Sequence, residues 1–324
     1  MKSLSKSRLI FIGVGVAVLS VAVGFRIYRV PPRQIADTNF DTKVARPAFV
    51  DEHPQVLFDE AHHNIHTAAG LYKPFVDLII NDGYRVARNK ETLSPKVLAG
   101  SRILVIANAL GPTESNDQPA FTEVECNVLQ DWVRAGGSLL LITDHAPTGA
   151  AAETLASRFG IEMSKGMTED SKNFDITSGD RSQIVFTREN GLLLEHPITR
   201  GRDTNENIKK VMTFTGQSLK ARETGSAFLK LGETARNRPA EIKVEKSGND
   251  TRTLIYYGEP VPATGYAQAI ASLFGKGCVV VTGEAAMLTA QIDAKTKKPF
   301  GMNVAGTDNR QLALNIMHWL SRIL

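Results

Sequence analysis

Cysteine is scarce in this chain. Only two cysteines, Cys126 and Cys278, occur among 324 residues, which excludes a disulfide framework, and their spacing does not suggest a shared metal ion. Cys126 falls in an amphipathic helical pattern and Cys278 opens an apolar run. Both are therefore predicted to be small buried hydrophobic residues.

The chain also lacks a strong excess of one charge and the common nucleotide-binding motifs. The 38 basic and 34 acidic residues give a formal net charge of +4, and no basic stripe occurs, so we expect no nucleic-acid partner. No Walker A loop and no G-x-G-x-x-G loop is present, so no nucleotide cofactor is expected. A G-x-S-x-G nucleophile elbow is missing too.

Apolar residues are abundant near the N-terminus, where they predict a membrane anchor. Residues 9–25 are seventeen uncharged residues in a row. Extended to 9–30, the segment is long enough to cross a bilayer behind the basic tail 1–8. A cleaved signal peptide is the competing interpretation. We favour the anchor, with the domain on the periplasmic or other extracytoplasmic side, and interpret residues 31–54, which contain four prolines, as a linker.

Residues 55–324 alternate apolar runs with helical periods, which is typical of an α/β domain. The predicted buried strands are Gln55–Asp59, 102–107, 138–143 and 278–282, and the predicted helices include 121–135, 267–274 and 309–323. Continuous apolar strands favour a doubly wound, mostly parallel, flavodoxin-like sheet. Helical periodicity fades over residues 166–265, which we interpret as a β-rich insertion.

Polar side chains follow the predicted strands, and the carboxyl ends of parallel strands meet at one edge of a sheet. Four of the seven histidines belong to this group, together with several carboxylates and polar residues. The candidate catalytic residues are Asp59, His62, His63, His145 and Glu284. The candidate ligand-binding residues are Asn64, Asn108 and Thr148.

Three kinds of chemistry suit these residues. Imidazole and carboxylate ligands could hold a divalent metal such as zinc, with His62, His66, Asp144 and His145 as the hypothetical ligands. A histidine oriented by Asp59 or Glu284 could act as a general base without metal. The same loops could bind a sugar or a small anion without catalysis. Alternatively, the residues only cap helices and tie loops together.

Several stretches resemble a known family. Phe58-Asp59-Glu60-Ala61-His62, the segment 132–147 (WVRAGGSLLLITDHAP), the segment 275–288 (GKGCVVVTGEAAML) and the segment 308–320 (DNRQLALNIMHWL) resemble DUF4350-type domains. These domains are similar to the class I glutamine amidotransferase-like fold and to domains of gliding-motility-type ABC transport components. The resemblance covers residues 55–165 and 266–324.

The resemblance implies a flavodoxin-like sheet. It does not imply glutamine hydrolysis, because neither cysteine follows a strand at a nucleophile turn. We therefore expect a membrane-anchored domain that binds a polar ligand, such as a carbohydrate or an envelope component, at the strand ends. The alternatives are a metal-dependent hydrolase that uses the same residues and a non-catalytic accessory subunit of a membrane transport complex.

Overall fold

The computed structural model describes residues 34–111, 118–222, 225–247 and 250–324. Its strands are β1 (Gln34–Ala36), β2 (Gln55–Asp59), β3 (Arg85–Asn89), β4 (Ile103–Ala107), β5 (Ser138–Ile142), β6 (Ile161–Met163), β7 (Met167–Asp170), β8 (Val185–Thr187), β9 (Lys210–Met212), β10 (Leu219–Ala221), β11 (Ser226–Lys230), β12 (Ala235–Arg238), β13 (Ala240–Ser247), β14 (Asp250–Tyr257), β15 (Val261–Pro262), β16 (Ala267–Phe274), β17 (Gly277–Thr282), β18 (Ala290–Asp293) and β19 (Pro299–Gly301).

The α-helices are α1 (Lys73–Asn81), α2 (Pro95–Leu98), α3 (Glu123–Ala135), α4 (Thr148–Ser157), α5 (Pro197–Arg200) and α6 (Asn309–Leu320). Two 3₁₀ turns, Thr204–Glu206 and Ala286–Leu288, complete the helical elements of the described chain. Helix α3 begins with the capping box that the sequence predicts, in which Thr122 and Glu125 each bond the other's backbone amide.

A nine-stranded sheet forms the centre of the fold, in the order β3-β2-β4-β5-β17-β16-β10-β6 with β11 paired to β16. The strands from β3 to β17 are parallel to one another. Alternate residues of these strands enter two separate cores: Phe58 and Val105 pack with α1 and α6, whereas Leu57 and Leu104 pack with α3 and α4. Helices therefore cover both faces of the parallel half.

The predicted fold class, a mostly parallel flavodoxin-like sheet, is wrong. Beyond β17 the central sheet is antiparallel, from β16 through β10 to β6, and smaller antiparallel sheets surround it. Ala267–Phe274, predicted to be a helix, forms β16 because Gly275 turns the chain back and pairs Phe274 with Gly277. Pairing of β16 with the whole of β17 outweighs the helix propensity of the alanines in β16.

The predicted insertion is built into the domain. Strands β10 and β11 both pair with β16 in the central sheet, whereas β7, β12 and β15 form a small sheet of their own. Residues 34–54, predicted to be a linker, also lie along the domain. Strand β1 pairs with β18, and Phe40, Val44 and Phe49 pack against the core.

The predicted membrane anchor, residues 9–30, lies outside the described residues, as does the tail 1–8. Within the described ranges no helix has the length and apolar character needed to cross a bilayer. For the part of the chain that the structure describes, this finding corrects the prediction of a membrane-anchored, periplasmic protein.

Candidate functional site

The loops that follow the parallel strands are tied together at one edge of the sheet. The backbone amide of Ile65 donates to the carbonyl of Asn108, and the amide of Leu110 donates to the carbonyl of His62. The Asn64 side chain accepts from the amide of His62 and donates to the carbonyl of Ala107. Asn64, a predicted ligand-binding residue, therefore joins the loop after β2 to the end of β4.

His62 lies between two carboxylates in a group that we call the His62 clamp, formed by Asp59, His62 and Glu125. Its Nδ1 is 2.8 Å from Oδ2 of Asp59 and its Nε2 is 2.9 Å from Oε1 of Glu125. All three side chains are buried. Asn89 donates to the other oxygen of Asp59. Both ring nitrogens of His62 are therefore occupied by hydrogen bonds.

The electrostatics of the clamp favour a charged imidazole. Burial opposes protonation of His62, but the hydrogen bonds and charges of Asp59 and Glu125 outweigh burial and raise its pKa. Burial likewise opposes ionisation of Glu125, yet bonds from His62, Thr122 and Leu93 hold its pKa below the usual value. An imidazolium with both N–H groups bonded has no lone pair for a proton or a metal.

Two carboxyl groups, Asp144 after β5 and Glu284 after β17, form a second group that we call the carboxyl pair. Glu284 is fully buried and accepts from the amides of Ala286 and Met287 at 2.6 and 2.7 Å. Asp144 accepts from the amide of His145 at 2.8 Å, and the amide of Ala285 and the Asn108 side chain act to lower its pKa. The pair thus joins the loops after β4, β5 and β17.

The carboxyl pair carries perturbed pKa values. Burial and the neighbouring Asp144 raise the pKa of Glu284 well above its usual value, although backbone amides oppose the shift. Burial also raises the pKa of Asp144, against the effect of His145 and the amide donors. Tyr72, whose hydroxyl donates to the carbonyl of Ala285 at 2.7 Å, has a raised pKa because of burial and the two carboxyl groups. Such values are common at functional sites.

Two buried polar atoms next to these groups have no hydrogen-bond partner among the described residues. They are Oδ1 of Asn108 and Nδ1 of His66. Asn108 has φ = 47°, a left-handed conformation. Burial lowers the pKa of His66 to about 4, so its imidazole is neutral at pH 7. Unpaired buried polar atoms are rare in folded proteins, and each points to a missing partner.

Asp144 and His145 are the members of this region that solvent reaches. Their side chains are 18% and 33% exposed, and Nε2 of His145 lies 3.8 Å from Oδ1 of Asp144. Nδ1 of His145 is 2.9 Å from the carbonyl of Ala146 and 3.1 Å from the hydroxyl of Tyr257 in β14. The β-rich middle of the chain therefore contributes a tyrosine to the strand-end site.

The remaining predicted residues have other surroundings. Thr148 is buried, and its hydroxyl donates to the carbonyl of His145 and accepts from the amide of Asp144, so it fixes this turn. His63 is exposed, with φ = 50°, and lines a cavity of ≈ 440 Å³ together with Phe121 and with His62 and Glu125 of the clamp. In the described ranges, no three His, Cys, Asp or Glu side chains are placed to hold a metal ion.

Four residues of the strand-end region were not predicted as site residues: Glu125, Tyr72, Tyr257 and Gln217. Glu125 was assigned only as a helix cap, and its bond to His62 spans 63 residues of sequence. Gln217 donates to Thr143 and to the carbonyl of Asp144 from the β-rich region. No local sequence pattern predicts such contacts, because each depends on how distant segments of the chain pack together.

Comparison with known proteins supports the fold. No protein-family model matches the chain, and no curated protein matches it. The mmIFT52 N-terminal domain is similar to it, with a TM-score of 0.56 and 13% identity over 82% of this chain and 97% of that domain. At this identity the likeness concerns the fold alone.

Two further solved structures show weaker likeness. A ThuA-like protein from Bacteroides uniformis aligns with a TM-score of 0.42 and 11% identity, over 85% of this chain and 94% of its own. Cytoplasmic protein STM3548 from Salmonella typhimurium aligns with a TM-score of 0.43 and 10% identity, over 82% and 98%. The resemblance to DUF4350-type domains stays a prediction.

Proposed function

We propose that this protein binds a hydroxyl-rich polar ligand of the carbohydrate class at the strand ends, with Asp144 as the principal acceptor. The observation that carries the proposal is the position of Asp144. Its carboxyl group is partly exposed, yet it accepts from the amide of His145 and belongs to the carboxyl pair. A fixed, partly desolvated carboxylate is a strong acceptor for ligand hydroxyl groups.

The neighbours of Asp144 suit the same kind of ligand. Asn108 is buried, so it influences Asp144 from below and offers no surface to a ligand. His145 and Tyr257, both at the surface, add groups that can donate or accept. A ligand with several hydroxyl groups can meet these groups together, whereas a ligand with only acceptors would face the carboxylate unfavourably.

The surroundings of Glu284 favour binding over acid–base catalysis. A carboxyl pair with raised pKa values could divide acid and base roles. Glu284, however, has no exposed surface and accepts from the amides of Ala286 and Met287. Glu284 therefore holds the loop after β17 in place and influences the electrostatic potential at Asp144. It does not touch a ligand.

A ligand-detected NMR screen tests this proposal. The probes are glucose, galactose, mannose, N-acetylglucosamine and disaccharides of each, added to the wild type, Asp144→Asn and His145→Ala. Asp131→Asn, a change at an exposed aspartate of α3, is the matched control. We expect at least one saccharide to bind the wild type and the control, and Asp144→Asn to weaken that binding about tenfold or more.

Two results would overturn the proposal. One is the absence of saccharide binding to a folded wild type. The other is that neither Asp144→Asn nor His145→Ala weakens the binding of any saccharide that binds the wild type. His145 is the more exposed of the two side chains, so its variant still tests the proposal if Asp144→Asn proves unstable.

A further inference from the structure

A second cavity lies apart from the strand-end residues. We call it the hairpin cavity: a space of ≈ 630 Å³ lined by residues of the β8–β9 region and of the β18–β19 hairpin. Its volume falls within the range of about 300–1,000 Å³ that is typical of small-ligand sites. None of the residues predicted from the sequence lines it.

An aromatic pair forms part of its wall. The rings of Phe214, which follows β9, and Phe300 in β19 lie 4.3 Å apart between centroids, and Met212 and Val304 add apolar surface. The faces of aromatic rings carry partial negative charge. They attract the slightly positive C–H groups that line one face of a sugar ring. The two rings are tilted by 43° and Phe214 is buried, so the half-buried Phe300 offers the ring face on which a pyranose can stack.

Charged groups of both signs surround this wall. Lys210 and Lys298 line the cavity, and their ammonium groups form no ion pair with any residue that the structure describes. Asp175 and Asp180 line it too. Asp175 accepts from the amide of Ser178 and Asp180 from the amide of Ser182, so backbone bonds fix the two carboxylates in position. The cavity therefore offers both donors and acceptors.

A strained residue supports the view that the cavity has a function. Thr215 has φ = 70°, a left-handed conformation that is unfavourable for a β-branched side chain. Its amide donates to the carbonyl of Ser182, and its hydroxyl lies 2.7 Å from the Ser182 hydroxyl. These bonds hold the strained residue at the cavity wall. Retained strain of this kind clusters at binding and catalytic sites.

We propose that the hairpin cavity is a second carbohydrate site, in which one face of a sugar ring packs on Phe300, backed by Phe214, while Lys210, Lys298 and the fixed aspartates bond its hydroxyl groups. Threonine and glutamine side chains around the charged groups also line the cavity, among them Thr177, Thr296 and Gln183. Many dispersed polar groups suit a ligand with many hydroxyls better than one with a single ammonium and a single carboxylate. This site is separate from the carboxyl pair and goes beyond the proposed function.

This inference is tested by measuring saccharide binding to the full chain and to variants of the β18–β19 hairpin. The probes are the same neutral saccharides, with glycine, phenylalanine and inorganic phosphate as competing classes. Phe300→Leu keeps the apolar volume and removes the ring face, and Lys298→Ala removes a donor. Lys295→Ala is the matched control, because Lys295 is exposed on the same hairpin and does not line the cavity. Asp144→Asn separates this site from the strand-end site.

We expect a saccharide whose binding falls about tenfold in Phe300→Leu, falls in Lys298→Ala, and is unchanged in Lys295→Ala and Asp144→Asn. Three results would overturn the inference. They are saccharide binding that Phe300→Leu leaves intact, the absence of any saccharide binding that survives Asp144→Asn, and binding of only phosphate or an amino acid. A saccharide that needs Phe300 and not Asp144 would support this site even if the strand-end proposal failed.

Discussion

Nδ1 of His62 lies 2.8 Å from Oδ2 of Asp59, and both side chains are buried. This bond closes the loop that follows β2 back onto the end of its own strand. Glu125 completes the clamp from helix α3. His62, which the sequence suggests as a catalytic or metal-binding residue, therefore links a strand to a helix through hydrogen bonds to two carboxyl groups.

Removing the imidazole from the clamp is expected to be costly. His62→Ala leaves two buried carboxylates without their shared counter-charge, so we predict a loss of about 3–5 kcal/mol in the free energy of unfolding. Urea denaturation measures this loss. His63→Ala, at the exposed neighbouring position, should change the value by less than about 0.5 kcal/mol. Equal effects of the two substitutions would contradict the clamp.

His66 makes the free energy of unfolding sensitive to acid. Its folded-state pKa of about 4 lies below the unfolded value of 6.5, so the unfolded chain binds more protons between these values. Stability from this group is present above pH 6.5 and is lost as the pH falls toward 4, by roughly 3 kcal/mol in total.

The substitution His66→Phe keeps a ring beside Tyr72 and removes the titration. Unfolding measured at pH 7.5 and at pH 4 should show the variant gaining roughly 3 kcal/mol relative to the wild type at the lower pH. Parallel pH profiles for the two proteins would mean that His66 is not buried in its neutral form.

The sequence predicts which residues lie at the strand ends better than it predicts which side chains contact them. Buried apolar runs identify β2, β4, β5 and β17, and parallel strands end at one edge, so Asp59, Asn108, Asp144 and Glu284 could be placed there. The separation of the histidines into different surroundings could not be foreseen. It depends on Glu125 and Tyr72, which reach the site from helix α3 and from the turn before α1.

The errors in the predicted fold have a similar cause. Ala267–Phe274 has the composition of a helix, but its conformation is decided by pairing with β17 and β10 along one edge and with β11 along the other. Strand pairing is non-local and more context-dependent than helix propensity. The antiparallel half of the sheet was therefore missed, whereas helix α3, which has a local capping box, was found.

The Tyr72 hydroxyl holds the loop after β17, which carries Glu284 of the carboxyl pair. It is fully buried and bonds the carbonyl of Ala285 at 2.7 Å. Tyr72→Phe leaves that carbonyl without this donor, and we predict a loss of about 1–3 kcal/mol in stability. Tyr256→Phe, at an exposed tyrosine of β14, is the control, and thermal unfolding compares the two. A Tyr72→Phe protein as stable as the control would show that the bond is not needed.

The most direct test of saccharide binding at Asp144 is isothermal titration calorimetry as a function of pH, with the tightest saccharide from the screen. Burial raises the pKa of Asp144, and only its ionised form accepts hydrogen bonds on both oxygens. Affinity for the wild type should therefore fall as the pH is lowered through that pKa. Asp144→Asn should bind weakly at every pH. Affinity that is independent of pH in the wild type, or equal in the two proteins, would contradict the account.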